Sequence, residues 1–264
     1  MELIKRIKIG DITLRRIYKF LKNKFLNFYY SFLWIYTSNG KKSRKNISKF
    51  KNIHLGQDVV LIANGPGLNK INTKYFKNKI LFGMNRIYLS DNINVNYLCC
   101  INDLVTNQFS DDFNNLNIDC FFKFRSFDLF NNSEKKYFFE KGYSSVFSKD
   151  LSNGLNAAAT VTYACLQIIY YMGFKRVFIV GLDHNFDYKG NVNETQKVKD
   201  DTNHFIKNYF PKGSKWETPD LFSSEYFYNI ALNKFKNDDR EIYDCSIDGK
   251  CKVFPKKSLS DFIK

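Results

Sequence analysis

Three histidines in 264 residues leave few side chains suited to proton transfer near neutral pH. His204, in Asp201-Thr202-Asn203-His204-Phe205, lies in a long polar stretch where apolar packing is an unnatural role. A general base is the better reading if that stretch folds over a cleft. His184 follows Asp183 at the expected end of a strand, where it either lines the cleft or closes a hydrogen-bonded turn. His54, beside basic residues ahead of the first strand, is read as incidental. Asn64-Gly65-Pro66-Gly67 ends an all-apolar run, and glycines there allow backbone N–H groups to approach an anionic ligand, or else make an ordinary turn. Asp103 and Asp183 each end a strand, so their carboxylates converge on one edge if the strands are parallel neighbours. They would then hold Mg²⁺ or ribose hydroxyls; the plainer role is to cap the following helices. The full G-x-G-x-x-G, Walker lysine, G-x-S-x-G, H-E-x-x-H and D-x-D patterns are all missing, which disfavours hydrolases, zincins and metal-dependent glycosyl transfer.

The elements that must carry these residues follow from hydrophobic runs and their punctuation. Val59 to Ala63, Ile80 to Phe82, Tyr97 to Ile101 and Cys120 to Phe124 read as strands, the first three ending in polar turns that contain Asn64, Asn85 and Asn102. Unbroken Val, Ile and Leu without polar alternation suit parallel strands covered on both faces. Leu68 to Phe76 reads as a short helix or turn, and Asn131 to Lys141 as a polar and aromatic surface segment. Thr160 to Met172 is a buried helix opening on the Thr160 hydroxyl and stopped by Gly173, feeding the strand Arg176 to Val180. Phe186 to Pro219 is too long for a plain connection and argues for a lid or binding loop. Leu221 to Lys236 and Glu241 to Cys245 complete the chain as helix and strand. The fold class is α/β: a Rossmann-like, mostly parallel sheet with helices on both faces, plus a basic N-terminal helical extension and a lid-like loop.

Charge divides the chain into an extension over residues 1–46 and a catalytic domain over 47–264. Twelve Lys or Arg stand against two acidic residues up to Asn46, so ten of the fifteen net positive charges lie in the extension. The remainder is only mildly basic, which disfavours a nucleic-acid partner. Phe25 to Tyr36 is aromatic and aliphatic, too short to span a bilayer and without a signal-cleavage pattern. It suits a helix lying on an anionic membrane surface, where each Lys or Arg contributes about 1 kcal/mol, or a helix packed on the core or on a second subunit of a homo-oligomer. Gly40 to Lys51 reads as a basic linker. The six cysteines show no metal-site spacing and sit in apolar runs, as buried reduced thiols do.

In order along the chain, Asn64-Gly65-Pro66, Asn85, Asn102-Asp103, Gly181-Leu182-Asp183 and Asn203-His204-Phe205 resemble the bacterial sialyltransferases of the lipooligosaccharide type. Together with Thr160-Val161-Thr162-Tyr163, Met172-Gly173-Phe174 and Val253-Phe254-Pro255, they also resemble the 6-hydroxymethylpterin pyrophosphokinase-like group that includes motility accessory factors. The similarity runs from about Val59 to the C-terminus. The sialyltransferase resemblance implies a CMP-sugar donor held by Asn64, Asn85 and Asn102, no metal or other cofactor, and His204 as base in an inverting transfer of a sialic acid-like or other ulosonic acid. Gly65, Pro66, Gly67, Asp103, Thr160 and Asp183 complete the expected donor site. The family's paired phosphate tyrosines do not map cleanly: Asn185 stands at the first, and Tyr188 is the candidate for the second. The implied acceptor is a lipid-linked or lipopolysaccharide glycan, met by an enzyme peripheral on the inner face of the cytoplasmic membrane. The pyrophosphokinase resemblance implies instead ATP on the glycine turn and Mg²⁺ on Asp103 and Asp183.

Overall fold

A computed structural model describes residues 14–130, 134–140, 146–157 and 160–262. Six expected strands and an unexpected one, β5, form one seven-stranded sheet: β1 (Asp58–Ile62), β2 (Ile80–Met84), β3 (Tyr97–Cys100), β4 (Asp119–Lys123), β5 (Lys136–Phe139), β6 (Arg176–Val180) and β9 (Glu241–Asp244). Its order is β5-β4-β3-β2-β1-β6-β9, and every neighbouring pair is parallel. The chain builds outward from β1 to β5, then returns to the opposite side of β1 with β6. The β1/β6 junction is therefore a topological switch point, where the two following loops diverge and leave a crevice beyond the strand ends.

Alternation along the strands feeds two cores. Val59 and Leu61 pack with α5 (Val161–Tyr171) and α6 (Leu221–Asn237), while Val60 and Ile62 face short helices and loops that include Leu68, Phe76 and Tyr209. The Thr160 side chain accepts a hydrogen bond from the Thr162 N–H at 3.3 Å and so caps α5. Every residue of α5 from Thr162 to Tyr171 is buried, because the helix lies between the sheet and α6. Asp220 caps α6 by accepting from the Ser223 N–H, and Tyr228, Ala231 and Phe235 recur at helical spacing on its inner face. Leu68 to Phe76 becomes two 3₁₀ turns, Pro66–Lys70 and Thr73–Phe76.

Two expectations are corrected. Gly40 to Lys51 is not a linker: α1 (Leu14–Tyr36) is followed by α2 (Ser38–Ser48), which buries Gly40, Ser43 and Ile47 at helical spacing and turns Lys41, Lys42 and Lys45 to water. The basic composition masked that periodicity. Of the expected surface segment Asn131 to Lys141, residues 134–140 are described, and they contain the edge strand β5 with Phe138 and Phe139 buried. Lys136 is buried there too, its amine donating to the Leu116 carbonyl at 2.7 Å, so a charge that signals surface serves as a tether. The start of the basic extension, residues 1–13, lies outside the described residues. All six cysteines are buried and unpaired. His54 has a structural place, stacked on Phe174 and in hydrogen-bond contact with Tyr97 Oη at 2.7 Å.

Candidate functional site

A cavity of about 530 Å³ opens at the C-terminal ends of β1, β2, β3 and β6. Its floor carries Asn64 and Gly65 after β1, Asn85 after β2, Asn102 and Asp103 after β3, and Asp183 and His184 after β6. The Asn64 amide donates to the Met84 carbonyl at 3.0 Å, tying two strand ends together. Asn64 Oδ1 and Asn85 Oδ1 are buried without a hydrogen-bond partner among the described residues. Leaving such acceptors unsatisfied costs about 1–3 kcal/mol each, unless a ligand brings donors to them. Asn85 and His184 hold φ of 48° and 52°, in the left-handed region that Asn, Asp and His adopt more readily than other non-glycine residues.

The glycine turn has a different reason from the one its sequence suggests. Gly67 N–H donates to Asp183 Oδ2 at 2.6 Å, and a Cβ on Gly65 or Gly67 would fall 2.5 Å from the Asp183 carboxyl group. The anion that these glycines admit is the chain's own carboxylate. Burial raises the Asp183 pKa above its ordinary value, partly offset by the Gly67 hydrogen bond, and Oδ1 is left unpaired. Gly65 lines the cavity, whereas Pro66 and Gly67 do not.

Phe186 to Pro219 crosses above this floor as a roof. It carries the hairpin β7 (Thr195–Lys197) and β8 (Lys215–Glu217) and lines the cavity with Asn203, His204, Tyr209, Trp216 and Thr218. Arg86, buried just past β2, fastens it: its backbone N–H donates to Tyr209 Oη at 3.0 Å, and its guanidinium bonds the Tyr209 carbonyl and stacks on Phe109. Phe205 N–H donates to the Asn64 carbonyl at 2.9 Å, so the residue after His204 is fixed to the floor. His204 itself stacks on Tyr209, ring centroids 4.0 Å apart and parallel. Its Nδ1 lies 2.7 Å from Asp201 Oδ1. With Nδ1–H donated there, the neutral ring keeps its lone pair on Nε2. Burial alone would raise the Asp201 carboxyl; the hydrogen bonds from His204, Phe210 N–H and Asn203 N–H outweigh it and hold the carboxyl below its ordinary value.

Asn64, Gly65, Asn85, Asn102, Asp103, Thr160, Asp183 and His204 thus share one cavity, while Tyr188 turns away, its hydroxyl donating to the Pro219 carbonyl at 3.3 Å. Several of them carry structural duties. Asn102 caps α3 (Asp103–Gln108), its Oδ1 accepting from Leu104 and Val105 N–H. Neither aspartate caps a helix by its side chain as expected: Asp103 pairs with Lys123 and Arg125 at 3.2 Å each, and Asp183 holds the glycine turn. With these engagements the two carboxylates do not fit a shared Mg²⁺ site, and among the described residues no three His, Cys, Asp or Glu side chains gather to hold a metal ion. His184 lines the cavity, buried, its Nε2 3.2 Å from a Glu225 carboxylate oxygen. Burial lowers its pKa, and Glu225 pulls the other way.

Sequence reasoning passed over Asp201, Tyr209 and Arg86. A carboxylate three residues before a histidine was a visible signal for the first; the other two act through contacts more than 100 positions apart, which no local pattern reveals. The N-termini of α5 and α6 also reach the cavity, through Thr160, Val161, Asp220 and Leu221. The α6 terminus already holds a carboxylate, that of Asp220, whereas the cap of α5 is the neutral Thr160 hydroxyl, so the helix dipole favours an anion at α5.

The family model for 6-hydroxymethylpterin diphosphokinase MptE-like proteins matches residues 35–189, more than half of the chain and all of the cavity floor. The chain belongs to the MptE-like family. The name of that family describes a diphosphokinase, and a transferase-like enzyme is the activity that membership supports. In this MptE-like chain the match ends at residue 189, four residues into the roof, so His204 and Asp201 lie outside it. No curated protein and no solved structure matches the chain.

Proposed function

We propose that this protein is an inverting, metal-independent glycosyltransferase that moves a sialic acid-like or other ulosonic acid from a CMP-sugar to a cell-surface glycan. One observation carries the reading: an Asp201-oriented His204 hangs over a floor whose Asn64 and Asn85 oxygens await hydrogen-bond donors. A nucleotide supplies such donors from its base amine and ribose hydroxyls, and the N-terminus of α5 suits its phosphate. His204 Nε2 takes the proton of an acceptor hydroxyl as that oxygen attacks the anomeric carbon. The bond from that carbon to the phosphate oxygen breaks, the nucleotide leaves with the electron pair, and the α5 N-terminus meets its charge. Asp201 keeps the ring in the useful tautomer and stabilises the imidazolium that forms.

A second reading, an ATP-dependent pyrophosphokinase of the pterin type, is favoured by the family's description. A thermal-shift panel of CMP, CMP-sugars, UDP, GDP and ATP separates the two, because a ligand of the folded state raises the melting temperature more the tighter it binds. CMP and a CMP-sugar are expected to stabilise the protein and ATP not. In a transfer assay His204→Ala is expected to lower turnover by about 10²- to 10⁴-fold with CMP binding retained, since a base acts on the acceptor. Stabilisation by ATP alone, or undiminished turnover in the variant, would overturn the reading.

A further inference from the structure

One face of α1 carries a row of apolar side chains that nothing among the described residues covers. Tyr18, Leu21, Phe25, Phe28, Phe32 and Tyr36 recur at three- and four-residue intervals, with exposures from 48% at Phe32 to 68% at Phe25. The opposite face is occupied: Trp34 is buried in the core, Tyr30 and Leu33 pack beside it, and Asn27 accepts from Arg125 at 2.6 Å. A row of this size on one helix exceeds the scattered apolar residues that any surface shows, and it marks an interaction site.

Charge decides what fits it. α1 and α2 together contain nine Lys or Arg and no Asp or Glu, and Lys22, Lys41, Lys42 and Lys45 are exposed. A second copy of the chain laid along the row would bring two such sets together without a carboxylate from either helix to pair them. An anionic bilayer supplies the opposite charge over a plane, and aromatic rings settle at the depth of its headgroups. None of the described helices is long and apolar enough to cross a membrane, so the helix would lie in the interface. We propose that the exposed face of α1 is a docking surface for an anionic lipid bilayer. Its buried face is bonded to the catalytic cavity: Arg125, held by Asn27, pairs with Asp103 on the cavity wall. A docked helix would hold that cavity near the surface on which lipid-linked acceptors reside.

The test is co-sedimentation of the full chain with phosphatidylcholine vesicles, with and without phosphatidylglycerol, across a salt series. Binding is expected only with phosphatidylglycerol and is expected to weaken as salt rises. The triple variant F25S/F28S/F32S should reduce partitioning at least about tenfold, or ~1.4 kcal/mol, with an unchanged melting temperature because these rings lie outside the core. K41E/K42E/K45E should reduce it separately. Failure of the full chain to bind phosphatidylglycerol vesicles, or binding indifferent to both variants, would overturn the proposal. So would a dimer in light scattering that the serine variant dissolves while vesicle binding is absent.

Discussion

The floor and the roof of the cavity are built on opposite plans. Floor residues sit at the ends of parallel strands, within a few positions of hydrogen-bonded backbone, and their geometry follows from the sheet. The roof is an excursion of more than thirty residues with one small hairpin, held down by Arg86, Asn69, Gln108 and four buried apolar side chains. The floor lies inside the family match and all but the first four residues of the roof outside it. On the proposed reading the floor holds the nucleotide and the roof the base, so the MptE-like family membership speaks to the floor more than to the reaction.

The comparison breaks most sharply at Asp201. Asp201→Asn leaves the shape of the roof but reverses the hydrogen bond available to His204, and turnover is expected to fall by on the order of 10²- to 10⁴-fold. Nucleotide affinity, a floor property, should stay near its original value; a parallel loss of affinity would show the two regions to be one unit. Next in size is Arg86→Met, which leaves the Tyr209 carbonyl without its donor and removes the stack on Phe109. A loss of about 3 kcal/mol is expected in denaturant unfolding, with protease cleavage appearing first between residues 186 and 219. Gly67→Ala strikes the floor: its Cβ would meet the Asp183 carboxylate and the Ile247 carbonyl, at a cost of about 1–3 kcal/mol. Asp183→Ala should recover part of that loss in a double-mutant cycle, and strict additivity would deny the contact.

The smallest effect is acid sensitivity of the roof. Because the Asp201 carboxyl is held below its ordinary value, its share of stability is complete above the unfolded-state value of about 4 and is lost as pH falls through the folded one. Urea midpoints of the wild type should therefore drop more steeply than those of Asp201→Asn below about pH 4. Equal slopes would mean that the His204 contact contributes nothing to folding.

The same division explains what could be read in advance. The core strands, the Thr160-capped helix and the strand-end asparagines were legible because period and punctuation are local properties. The glycine turn was legible as a close approach but not as to its partner, since the carboxylate it receives lies 116 positions away. Asn102 read as a ligand contact and serves first as a cap, because asparagine suits both tasks. β5 and α2 were hidden by lysines, one buried on a carbonyl and the others forming the wet side of an amphipathic helix. Tyr188 was placed by analogy with another family's pattern, and the roof turns it toward Pro219 instead.

The central strand β1 is completed by β6, with Asp58 paired to Arg176 across 118 positions. During synthesis, therefore, the crevice cannot close until β6 has followed β1 out of the ribosome, whereas α1 precedes both. Pairings so distant in sequence form late and slowly. If α1 docks on a bilayer as proposed, it has an interval in which to settle there while the sheet is still unfinished, and attachment would precede closure of the cavity.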